Sequence, residues 1–169
     1  MVGAYAASPA FDHGPSAPYQ NGWQTGDNGG GGFSAWSLTA TNGNGNTGGF
    51  FVGNPVGNGG RGNIGSDSWG MYANSGDQAL ALRLFNIGGP NNSAILAPNQ
   101  SFGIAMDNGS VATNSTVGFN LLNAAGVDRF TFEFIGGGTN YVYDLGNGVK
   151  VDTGVPLTLG GLQLTFALG

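Results

Sequence analysis

Tyr72, Asn74, Arg83, Asp107, Asn120, Glu133, Asn140 and Asp144 fall on the polar parity of alternating segments. If neighbouring strands bring them together, they form a surface of amides, carboxylates, one guanidinium and one ring. Sugars need such chemistry: bidentate hydrogen bonds from Asn, Asp and Arg, and apolar contact against a ring face. Trp23 and Trp36 add two candidate stacking platforms, because they flank the Gly-rich stretch 25–32. Trp23 reads as the more exposed of the two, since its neighbours Asn21, Gly22, Gln24 and Thr25 are polar or small.

Catalysis needs a stricter arrangement. A glycoside hydrolase uses two carboxyl groups about 5 Å apart for retention and about 6.5–9.5 Å apart for inversion. The only glutamate is Glu133, which with Asp107 or Asp144 could form such a pair on one sheet. An ion pair of Glu133 with Arg83 or Arg129 is the alternative. No local motif sets two acids two residues apart on a strand, so the chain reads as a binder before an enzyme. A Ser-His-Asp triad would have to use His13, the single histidine, and no Gly-x-Ser-x-Gly elbow is present. With one His and no Cys, zinc and copper find too few ligands. Calcium is the metal that the oxygen-rich turns at Asp27, Asp107 and Asp144 could hold, although no Asp-x-Asp-x-Asp-Gly loop occurs. Otherwise no cofactor is expected.

These side chains must be positioned by strands. Alternating or apolar runs recur at segments 32–40, 49–53 (with Phe50, Phe51 and Val52 together), 68–74, 100–107, 116–123, 129–135, 139–145, the short 149–152, and 162–168. A side-chain period of two makes each a strand with one buried face. Segment 78–87 is apolar on both parities and reads as a strand in the middle of a sandwich, with a helix as the competing possibility. Asn-Gly pairs punctuate the runs, and Asn147-Gly148 predicts a tight hairpin. Stretches 42–49 and 53–65 read as surface loops. Residues 1–22, with Pro9, Pro15 and Pro18, form an irregular lead-in to a single domain over 23–169. The expected fold is therefore all-β, a two-sheet antiparallel sandwich.

Composition narrows the function. The 169 residues include 35 glycines, yet 40% are hydrophobic and the net charge is only −5, which opposes disorder. Four Lys and Arg are too few for a nucleic-acid footprint. No run reaches the ~18 apolar residues of a membrane span. Met1 reads as a start placed ahead of a mature secreted segment, because the opening residues lack the basic and apolar regions of a signal peptide.

Three stretches carry a resemblance: Gly29-Gly30-Gly31-Gly32-Phe33-Ser34-Ala35-Trp36-Ser37-Leu38, Gly49-Phe50-Phe51-Val52-Gly53, and Ser68-Trp69-Gly70-Met71-Tyr72-Ala73-Asn74-Ser75-Gly76. Together they resemble Gly/Asn-rich secreted domains of environmental bacteria, including proteins with a C-terminal PEP-CTERM sorting signal. Segments 102–109 and 130–137 continue the likeness, which covers most of 20–168. It implies a concanavalin-like or jelly-roll sandwich with an extracellular, glycan-linked role, and it transfers no catalytic residue. The expectation is a secreted module that binds a neutral polysaccharide. The alternatives are a self-assembling matrix protein and a small glycoside hydrolase or lyase.

Overall fold

The computed structural model describes residues 10–41, 48–54, 67–74, 76–85, 101–158 and 160–167. The loop readings at 42–47 and 55–65, and the strand ends at 86–87, 100 and 168, lie outside them. Within the described residues the chain is all-β, with ten strands in four antiparallel sheets and one 3-10 turn, Ala17–Tyr19. It divides into two compact units.

The first unit holds β1 (Ser37–Thr41), β2 (Gly48–Gly53), β3 (Ser68–Ala73) and β4 (Gln78–Leu82). β1 pairs with β4, and β2 with β3. On β2 and β3 the period-two pattern resolves into two faces. Phe50 and Trp69 share one with a cluster of rings from Trp23, Trp36 and Tyr19, whose centroids lie 5.0–5.8 Å apart. Phe51 and Tyr72 occupy the other. From residue 10 onward the amino-terminal segment is packed: Tyr19 is fully buried and Phe11 bridges to Gly31.

β4 departs from the reading as an inner strand. Its run of helix formers is extended, and the ladder stops at Leu82. Leu80, Leu82 and Leu84 face outward, with Leu80 53% exposed. Arg83, on the opposite parity, turns inward to buried partners, and pairing resumes beyond it as the Phe33–Phe85 bridge.

The second unit holds β5 (Ser101–Met106), β6 (Thr116–Leu122), β7 (Asp128–Ile135), β8 (Asn140–Asp144), β9 (Val151–Pro156) and β10 (Leu162–Ala167). β6-β7-β8-β9 form one sheet and β10-β5 another. Their apolar parities meet, so the unit has two layers. Phe132, Phe134 and Tyr141 are buried at the centre, with Met106, Leu162 and Leu164 packed on them from the smaller sheet. Phe166 of β10 sits 4.5 Å from Phe130 and 5.5 Å from Phe119, ring to ring. The hairpin after β8 is present, but its connection spans 145–150 rather than a two-residue turn. Asp144 caps it by accepting the N–H groups of both Asn147 and Gly148.

Candidate binding faces

The period-two reading brings Asn120, Glu133, Asn140 and Asp144 to one face of the four-stranded sheet. The register requires it: Asn120 opposes Thr131, which opposes Asp144, while Glu133 opposes Val142. Nearly every polar group there already has a partner. Lys150 forms an ion pair with Glu133, replacing the expected Arg83 or Arg129. Asn120 donates to Asp128 at 2.9 Å. Asn140 donates to both oxygens of Asp152, at 3.0 and 3.1 Å. The N–H of Gly154, followed by the Asn140 amide, holds the Asp152 carboxyl below its ordinary pKa.

The proposed acid pair fares accordingly. Glu133 and Asp144 are diagonal neighbours on adjacent strands, but Glu133 is tied to Lys150 and Asp144 is buried in its turn. Asp107 is not on this face at all. It follows β5 in the smaller sheet, and its charge acts on Tyr141, an inner-face residue, whose phenol is bonded to buried Asn108. The candidate calcium ligands Asp27, Asp107 and Asp144 stand on separate turns. Asp27 accepts the N–H of Gln24, and among the described residues no three His, Cys, Asp or Glu side chains converge. The His13 triad fails on geometry too. Ser16 Oγ lies 3.4 Å from His13 Nδ1, but Asp12 accepts the backbone N–H of His13 instead of orienting its ring.

In the first unit, Trp23 corrects the expectation of an exposed platform. It is 7% exposed, covered by rings from Trp36, Phe50 and Trp69. Trp36 is half-buried in the same cluster. Arg83 is a structural hub. Its guanidinium pairs with Asp12 at 2.5 Å and donates to Asn28 at 2.8 Å and to the Ser34 carbonyl at 2.9 and 3.1 Å. It also lies 4.4 Å from the centre of the Phe33 ring and 4.5 Å from that of Trp36. An arginine so committed cannot also grip a ligand. A cleft of about 340 Å³ lies among Gly14, Ser16, Tyr19, Gln20, Val52 and Asp67. With Tyr19 buried, it offers a sugar ring no open aromatic face.

Among the described residues, the outer face of β2 and β3 is an aromatic surface with one ring open to solvent. Tyr72 is 47% exposed. Gly49 opposes it across the ladder, and Gly70 opposes Phe51. A Cβ on Gly70 would fall 2.1 Å from the Phe51 ring, and one on Gly49 2.9 Å from the Tyr72 hydroxyl. Each ring therefore fills the space that a side chain on the other strand would take. The ring centres are 6.5 Å apart. Asn74, one residue past β3, is exposed as well. Of the site expected from sequence, Tyr72 and Asn74 stand here. Phe51 was overlooked, although a glycine at each cross-strand position was its available signal.

Two buried phenols give the molecule an alkaline limit. Burial is the main cause that raises the Tyr19 and Tyr141 pKa values, reinforced by the hydrogen bond from Tyr19 to Asp12 and by the charge of Asp107 beside Tyr141. A raised pKa means the folded state holds the proton more tightly. Their stabilising contribution is thus complete below the ordinary tyrosine value of about 10 and is lost as pH rises beyond it. In a titration followed at 295 nm, two of the five tyrosines should ionise late, together with loss of the near-ultraviolet circular dichroism. Ionisation of Tyr19 and Tyr141 near pH 10 with the fold intact would contradict this.

No protein-family model matches the sequence, and comparison with curated proteins and with solved structures returns no significant match.

Proposed function

We propose that the chain is a secreted module that binds a neutral polysaccharide, and that the Tyr72–Phe51 face is its contact surface. The observation that carries this reading is the exposed Tyr72 ring beside the half-buried Phe51 ring, on a sheet face where neither strand contributes a charged residue. Apolar ring faces stack on the C–H faces of sugars, while the Tyr72 hydroxyl and the Asn74 amide can exchange hydrogen bonds with sugar hydroxyls. The paired polar face of the other unit plays a supporting part at most, because its donors and acceptors are satisfied by one another. The reading is tested by probing an array of immobilised polysaccharides with the labelled chain. Retention on at least one neutral polysaccharide, clearly weakened by Tyr72→Ala, is the expected result. Retention nowhere, or retention indifferent to Tyr72→Ala, ends the reading.

Self-association is the second reading, and one observation favours it. Strand β4 points Leu80 and Leu82 outward beside Ser37, Thr39 and Thr41 of β1, a ladder face without charge. Charged and proline-bearing edges are the usual defence against strand addition, and β4 has neither. Sedimentation velocity over a wide concentration range should then show oligomers that Leu80→Lys disperses. A monomer throughout would remove this alternative.

A further inference from the structure

We infer that the Tyr72–Phe51 face takes a soluble, curved neutral glycan chain and does not adhere to the flat face of a crystalline polysaccharide. This rests on the glycan-binding reading and narrows its substrate class. Two observations lead to it.

The first is the angle between the rings. Their planes are inclined by 41°. Two rings at that inclination cannot both lie flush against one plane, so on a flat crystal face at least one stacking contact is lost. A chain whose successive sugars turn relative to each other, as in α-linked or β-1,3-linked glucans, presents its ring faces at an angle and satisfies both. The inclination is built into the fold. Each ring is seated in the space left by a glycine across the ladder, so neither can flatten without unseating itself. Rigid, preorganised contacts of this kind favour the ligand whose shape they already match.

The second is charge. Strands β2 and β3 contain no Lys, Arg, Asp or Glu. Of the cations elsewhere, Arg83 and Lys150 are paired with Asp12 and Glu133. A uronate or sulfated chain would meet no compensating charge on the two strands themselves, and the molecule is net negative at −5. A neutral chain loses nothing by that.

Affinity electrophoresis of the full chain in gels containing glycogen, laminarin or polygalacturonate, with parallel sedimentation on microcrystalline cellulose and chitin, tests the inference. The wild-type protein should be retarded by glycogen or laminarin and should stay in the supernatant over both crystalline solids. Tyr72→Ala should weaken retardation by about tenfold in affinity, the scale of one aromatic contact. Tyr72→Phe, which keeps the ring and its seat over Gly49, should retain most of the binding. Circular dichroism of both variants separates loss of binding from loss of fold. Binding only to the crystalline solids overturns this inference while leaving the glycan-binding reading standing. Retardation by polygalacturonate alone overturns the neutral class. No binding in any arm overturns the reading and the inference together.

Discussion

Asp12→Asn should destabilise the fold by about 3–5 kcal/mol, the cost of leaving one member of a buried ion pair without its partner. The Asp12 side chain is only 2% exposed and that of Arg83 7%, so water cannot take over the lost charge. Asp12 also accepts the Tyr19 hydroxyl and the backbone N–H of His13. One change therefore leaves the guanidinium uncompensated and weakens the anchor of the lead-in. The loss is a large fraction of the roughly 5–15 kcal/mol that holds a typical domain together. Urea unfolding followed by tryptophan fluorescence is the suitable measurement, because Arg83 lies against Trp36. By contrast, Leu82→Ala on the exposed leucine row should cost well under about 1 kcal/mol, as surface substitutions usually do. If Asp12→Asn also costs under about 1 kcal/mol, the pair is not the hub described above.

Phe134→Ala should cost a similar amount, about 3–5 kcal/mol, by a different mechanism. Phe134 is 3% exposed and packs edge-on against Tyr141, 5.5 Å from ring to ring. Tyr141 in turn stacks on Phe132 at 5.1 Å. Truncation removes the buried ring and leaves a cavity that the surrounding strands cannot close, since Phe132 and Tyr141 are fixed by their own packing and by the bond to Asn108. Phe134→Leu, which keeps most of the volume, should lose appreciably less. Calorimetry of the two variants decides the matter. Equal losses would mean that aromatic geometry, not cavity volume, controls the site; no loss in either would mean that the core lies elsewhere.

How much of this could be read from the chain depended on the range of the interaction. All ten strand positions were legible, because alternation is a local property, and the same alternation placed Asn120, Glu133, Asn140 and Asp144 on one face. Partners were not legible. Glu133 meets Lys150 because the connection from β8 to β9 carries Lys150 back over the sheet, a circumstance no motif records. Trp23 misled for a related reason. Its sequence neighbours are small and polar, but its burial is decided by Trp36, Phe50 and Trp69, which come from well downstream. The middle-strand reading of β4 failed where one arginine was drawn inward. Strand β9 runs to Pro156, four residues past the expected end, through Gly154 with φ +69°, a position where the alternation pattern breaks.

The Arg83 hub has a consequence for the growing chain. Asp12 leaves the ribosome 71 residues before the arginine that will neutralise its burial. At about 5–20 residues per second the wait is on the order of ten seconds. Throughout it the carboxylate is better left in water, so Tyr19 and the ring cluster have no finished seat. The stretch around Asp12 is thus made before Arg83 and locked late, and a nascent chain halted before β4 should leave it open to proteases.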